Sequence, residues 1–465
     1  MHPRSLRGWL IGVALLAAAP AVAQPATPAP AARLAPPPAA TTADPVIAHE
    51  TYTLPNGLQV ILARDSTVPL VAVNVWYHVG SGCEVPGKTG FAHLFEHMLF
   101  QGSKNVGEDR HFDVLKNIGG DGVNGTTNSD RTNYFEVVPS NQLDTALWLE
   151  SDRMSHLLEL VTDKSLQNQI EVVRNERRQR YDNVPYGKAR FALYEALYPE
   201  GHPYRYLTIG RHEDLAAASL DDVKAFWRTW YVPANATLAI VGDFDPATIK
   251  ATVAKWFGSL PPSKKPALVM VPPPAPRADR REVTDGFAKL RQITWAWHSP
   301  ANFAAGDAEL DVLANALGAA GTGRLYKRLV FETQLAPSVA AYQAGAQFSG
   351  MFVVSVTLQT GADLGAVERI VGEELAKVRA APLADAEIKR AVTQVEAGLV
   401  WSLQSLMSRA NLLQTYNHYL GDPDRLSWSL DRYRRATADG IRATAAQVID
   451  LDRAAVVVTT PGGTP

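Results

Sequence analysis

The chain has 465 residues, enough for two or three domains of ordinary size. Its composition is that of an ordinary globular protein, 46% hydrophobic and 20% charged, with 45 basic residues against 47 acidic ones. A net charge of -2 removes the electrostatic case for nucleic acid or an anionic membrane as partner, and the single cysteine, Cys83, excludes any internal disulfide.

At the N-terminus, Arg4 and Arg7 precede an apolar run from Trp9 to Ala19, and Ala21-Val22-Ala23 supplies an A-x-A cleavage site. Residues 1–23 therefore read as a signal peptide. The run is too short to span a membrane, and no cysteine follows the cleavage site as a lipid attachment point. The mature chain is expected outside the cytoplasm with no membrane span, in the periplasm of a Gram-negative source. Residues 24–45 form a Pro/Ala-rich tether that cannot build a core.

Folded structure is expected from near His49. Thr51 to Leu62 alternates around Pro55-Asn56-Gly57, the pattern of a hairpin, and Val68 to Val79 is a further β-rich run. Cys83 reads as a small half-buried apolar residue rather than a reactive thiol. A second Pro-rich stretch, Pro261 to Pro276, lies in a linker over residues 261–280 that parts an N-terminal domain (46–260) from a C-terminal one (281–465). Each half mixes β-rich and long helical runs, and Leu238–Asp243 and Ala454–Thr459 are matching late strands. The fold class is α+β: two similar domains, each a mixed sheet packed with helices, although residue identities show the repeat only faintly.

Residues 91–102 (FAHLFEHMLFQG) are a short helical run closed by Gly102, and within it His93 to His97 reads H-x-x-E-H. On a helix, positions i and i+4 share a face one turn apart, so both imidazoles can reach a single ion. Glu96 shares that face, close enough to act as general base on the attacking water. Leu94, Phe95, Met98 and Leu99 make the other faces apolar. Catalytic zinc takes three protein ligands and keeps a fourth position open, so one more ligand must arrive from another element. The helical segment Asp163 to Asn183 offers Glu171 and Glu176. The other histidines, His78, His111, His156, His202, His212, His298 and His418, show no ligand spacing and read as structural or surface residues.

These motifs resemble the pitrilysin (inverzincin) family of zinc metallopeptidases, in its bacterial processing-peptidase-like branch, whose signature is H-x-x-E-H with a distal Glu. The family's distal helix is similar to Glu171-Val172-Val173-Arg174-Asn175-Glu176-Arg177-Arg178, which selects Glu176 as third ligand after a spacer slightly longer than usual. The resemblance extends through Gly119–Tyr134, Pro185-Tyr186-Gly187 and Tyr231–Asp245, and is looser in the second half. It implies a zinc endopeptidase with one ion per chain, held by His93, His97 and Glu176, with Glu96 as base. It also implies a clamshell of two domains closing on extended peptides. Asn124, Gly125 and Thr126 would then be a sheet edge that pairs with the substrate backbone; the alternative for Asn124 is a residue of a Gly-rich turn.

Two departures from the family pattern stand out. Its second Glu, two turns before the distal ligand, is Gln169 here, whose amide carbonyl could still accept a hydrogen bond from a ligand's ring. The Arg and Tyr that steady substrate and oxyanion in self-sufficient relatives align with Val330 and Pro337. The resemblance then implies a heterodimer in which a second, zinc-free subunit supplies them, unless Arg324 or Arg328 substitutes. Gly318–Gly323 (GAAGTG) reads as a turn and not a phosphate loop, because no GK[ST] follows. The rival readings are a non-catalytic scaffold or partner subunit of such a heterodimer, and an unrelated binding protein with a coincidental motif.

Overall fold

The computed structural model describes residues 44–462. The signal-peptide reading and all but the last two residues of the tether lie outside the described residues. β1 (Glu50–Thr53) and β2 (Gln59–Arg64) form the expected hairpin, with Thr51 opposite Ile61. Gly57 turns it at a φ of 97°, and Asn56 pins it by donating to the carbonyl of Phe257 at 2.7 Å.

β3 (Leu70–Tyr77), β4 (Asp121–Thr127), β5 (Thr132–Pro139) and β6 (Ala236–Gly242) complete a sheet ordered β1-β2-β6-β3-β5-β4. A second sheet comprises β7 (Asp279–Asp285), β8 (Gln292–Ser299), β9 (Ser338–Ala344), β10 (Gly350–Thr357) and β11 (Ala455–Pro461), ordered β7-β11-β8-β10-β9. The second order repeats β2-β6-β3-β5-β4 strand for strand, and in each sheet one pair is parallel, β2–β6 and β7–β11. The repeat thus lives in topology, which many apolar sequences satisfy, rather than in residue identities. β6 and β11 come last in their halves yet insert between earlier strands, so both faces are covered and their sequences are near-continuous apolar runs.

What covers those faces ties the halves together. One face of the first sheet (Val60, Val73, Val75, Leu238, Ile240) packs on helices of its own half. The opposite face is small, built from Ile61, Ala63, Ala72, Ala239 and Val241, and receives the helix Leu406–Leu420 through Leu406, Ala410, Leu413 and Tyr416. That helix is fixed by polar contacts as well: Gln414 donates to the carbonyls of Asn74 (3.0 Å) and Thr237 (2.8 Å). In return the helix Gly187–Leu197 packs Ala189, Leu193 and Ala196 on Ala296, Val353, Ala455 and Val457 of the second sheet. Between the halves, residues 261–278 run without regular secondary structure.

Several polar residues are buried at these contacts. His78 and His418 stack, with their Nδ1 atoms 2.7 Å apart, and burial drives the pKa of both down, so this pair is neutral and structural. Asp130 accepts from Tyr419 Oη (2.7 Å), from the backbone N–H of Gln347 (3.0 Å) and from Tyr204, joining both halves at one carboxylate. Behind β5, Glu136 faces Glu150, Arg153 and His111. Arg153 Nε donates to Glu150 at 2.9 Å, and burial pushes Glu136 well above the usual carboxylate range.

Candidate metal centre and cleft

The H-x-x-E-H residues occupy the helix Phe91–Met98. Gly90 precedes it at a φ of 88°, and the Glu84 carboxylate accepts the backbone N–H groups of Gly90 (2.9 Å) and Ala92 (2.8 Å), taking up donors that no helical carbonyl can reach. Burial pushes the Glu84 carboxyl up to about 8, against the downward pull of those N–H groups. Phe91, Leu94, Phe95 and Met98 are buried, and Phe95 stacks on Phe226 and Tyr231 at 5.1 and 5.2 Å. That packing leaves His93, Glu96 and His97 on the remaining face.

The helix Asp163–Arg177 starts at a capping box between Thr162 and Ser165 and buries Leu166, Ile170 and Val173. Glu176, in its last turn, reaches the two histidines: its Oε2 lies 3.1 Å from His97 Nε2 and 3.6 Å from His93 Nε2. Two ligands ~2.0 Å from a tetrahedral ion stand ~3.3 Å apart, so these separations suit a shared zinc. Glu171 is exposed and pairs instead with Arg174 (2.5 Å). Burial and the neighbouring His97 lower the His93 pKa to about 4, which keeps its imidazole neutral as a ligand requires. Glu176 is drawn up by burial, but the hydrogen bond from His97 and the electrostatic influence of the two imidazoles and Arg180 outweigh it, and its pKa falls. Two imidazoles and a carboxylate, open on one side to a cavity of about 310 Å³, form a donor set that fits zinc.

The cavity's far wall is β4, the edge strand of the first sheet. Asn124, Gly125 and Thr126 therefore lie on an edge strand and not in a turn, each paired to β5 on the inner side only. Thr127, the next residue, donates its hydroxyl to Glu96 Oε2 at 2.6 Å. Burial raises the Glu96 pKa, partly offset by that hydrogen bond. Arg131 braces the strand by donating to the carbonyl of Thr126 at 2.8 Å and to Asn133 Oδ1 at 2.9 Å. Gln169 is buried two turns before Glu176, yet it makes no hydrogen bond to a ligand ring, and His93 Nδ1 has no partner. The tuning contact considered for Gln169 is thus not present among the described residues.

Sequence reasoning missed Thr127, Glu84, Arg131 and Arg180. Arg180 Nη1 binds Glu176 Oε1 at 2.7 Å, a contact that its i+4 spacing from Glu176 could have signalled. Of the suggested substitutes for the absent Arg, Arg324 is held by Glu387 (2.7 and 2.6 Å) and Arg328 by Glu373 and Glu374 (2.8 and 2.9 Å). Neither lines the cavity. Cys83 is half-buried, and burial pushes its thiol up to about 11, away from reactivity.

The family model described as insulinase (peptidase family M16) matches residues 59–201, a span that contains all four residues of the centre, and the model described as the M16 inactive domain matches residues 217–395. The chain belongs to the M16, or pitrilysin-type, peptidase family. Among M16 relatives, the zinc protease PqqE of Helicobacter pylori is 29% identical over 79% of this chain and 83% of its own. A crystal structure of a protease from Helicobacter pylori matches with a TM-score of 0.82 at 26% identity, covering 90% of this chain and 100% of that one. The periplasmic protease PqqL from Escherichia coli shares the fold at a TM-score of 0.73 and 17% identity, over 91% of this chain and 48% of its own.

Proposed function

We propose that this chain is a zinc-dependent endopeptidase acting on extended or unfolded peptides. The observation that carries the reading is the convergence of His93, His97 and Glu176 with Glu96 held beside them against a sheet edge. Zinc at those three ligands would polarise the scissile carbonyl and acidify the attacking water. Glu96 takes the water's proton and returns it to the leaving amine, and the Thr127 hydroxyl holds its carboxylate in place for the transfer. Asn124, Gly125 and Thr126 hold the substrate backbone by main-chain hydrogen bonds along the free edge of β4, which demands little of the peptide's sequence. On this reading residues 46–260 carry the zinc, residues 281–465 form the opposing domain, and 261–280 join them.

The test is cleavage of a quenched fluorescent peptide by the zinc-loaded chain, with and without chelator. Glu96→Gln should keep one equivalent of zinc while lowering turnover at least about a hundredfold. Appreciable activity in that variant would remove Glu96 from its role.

A heterodimer is favoured by one further observation. Val330 and Pro337 offer no polar side chain, and Arg324 and Arg328 are committed to carboxylates of their own half. A second pitrilysin-like subunit then supplies the Arg and Tyr. Silence of the folded, zinc-loaded chain, relieved by adding such a subunit, is its signature; silence that persists would leave a scaffold or partner role. Export rests on the N-terminal pattern of residues 1–23 and on the periplasmic description of the Escherichia coli neighbour.

A further inference from the structure

The turns after Asp163–Arg177 carry a run of arginines whose guanidinium groups meet different fates. Arg174 pairs with Glu171, Arg177 donates to the carbonyl of Gly210 (2.6 Å) and lies over the Phe191 ring, and Arg178 is held by Asn175. Arg180 alone of these lines the cleft, and among the residues lining it no other bears a permanent positive charge. Its Nη1 takes Glu176 Oε1 at 2.7 Å and leaves Oε2 to face both imidazoles, while Nε and Nη2 have no partner among the described residues. Its side chain is 71% exposed, across the cavity from the Asn124–Thr127 edge.

A guanidinium anchored by one corner beside a metal, with its remaining donors free, is a preorganised fork for a carboxylate. The anchoring salt bridge removes much of the rotamer entropy that a free surface arginine would lose on binding. We propose that Arg180 determines specificity by selecting peptides with a carboxylate, from an Asp or Glu side chain or from the C-terminus, near the bond that lies at the metal centre. The inference rests on the peptidase reading and deepens it. In the same pose Arg180 holds Glu176 Oε1, so only Oε2 faces the two imidazoles.

The test uses the full-length, zinc-loaded chain and four versions of one peptide: Glu or Gln beside the scissile bond, each with a free or an amidated C-terminus. The arms separate a side-chain carboxylate from a terminal one. Cleavage should favour a carboxylate-bearing member on the order of tenfold in kcat/KM. Arg180→Gln should erase that ratio, and Arg180→Lys should keep part of it, with zinc content unchanged in both. An arginine that merely supported Glu176 would instead depress all four peptides alike, or lose zinc, and either result overturns the proposal. Binding of the same peptides to zinc-loaded Glu96→Gln, read by fluorescence anisotropy, reports the preference without turnover. Preferential binding with no cleavage even after a second pitrilysin-like subunit is added would sink the peptidase reading and keep the carboxylate site; equal affinity for all four peptides would sink the site.

Discussion

Gly125 shows how little room surrounds Glu96. A Cβ there would stand 2.9 Å from Glu96 Cγ and 3.1 Å from Phe100 Cε2, closer than unstrained carbon contacts. Since Thr127 fixes the Glu96 carboxylate from the same strand, an added methyl group must displace either the carboxylate or the strand. Gly125→Ala is expected to lower kcat by about a hundredfold, the usual penalty for a misplacement near 1 Å, while zinc stays at one equivalent. Full activity in that variant would show that the carboxylate has slack. The i,i+4 histidines and the neighbouring glutamate were readable as a site because helix geometry maps sequence spacing directly onto one face. Thr127 was not readable, since nothing in N-G-T-T says which hydroxyl a distant helix will meet.

Between elements, the contact of β5 with the helix Leu143–His156 is mediated by charge as well as by apolar packing. Glu136 on β5 is wholly buried, no N–H or hydroxyl group among the described residues donates to it, and burial, then the charge of Glu150 and a hydrogen bond shared with Glu150, raises its pKa well above the ordinary 4.5. The folded state therefore holds a proton that the unfolded chain releases. Its stabilising effect is complete below about pH 4.5 and declines as pH rises through the folded value. Glu136→Gln is close to the protonated acid in shape and should flatten that decline, seen as a urea midpoint that changes less from acid to neutral pH. An unchanged slope would mean that Glu136 is ionised in the fold, with Arg153 shared between two carboxylates. The sequence marks Glu136 only as a charge in an apolar strand, because which carboxylate faces it depends on the register between strand and helix.

For the whole molecule, the exchange of helices matters more than the linker. Without Leu406–Leu420, the first sheet exposes Ile61, Ala63, Ala72, Ala239 and Val241, and Gln414 no longer meets the carbonyls of Asn74 and Thr237. Residues 46–260 produced alone are expected to aggregate, and co-production with residues 261–465 should restore a soluble complex, as judged by size-exclusion chromatography. A stable monomer of 46–260 would show that the exchanged helix is dispensable. Asp130, reached by Tyr204, Tyr419 and Gln347, lies next to Arg131, which grips the cleft's edge strand, so the joint between the halves and the wall of the site are adjacent residues.

By itself the sequence determined the α+β class, the β1–β2 hairpin, the irregular course of the Pro-rich stretch and the H-x-x-E-H helix. These depend on local periodicity, turn chemistry and helix spacing, which short windows contain. Only the tertiary structure decided that β6 and β11 insert between earlier strands of their sheets and that each half covers the other's sheet with a helix. The same holds for the pairing of His78 with His418, and for Arg180 facing the cleft while its neighbouring arginines are held elsewhere. Those outcomes depend on contacts between residues far apart in the chain, and long-range closure is set by which apolar faces must be buried together, a condition that no local window holds.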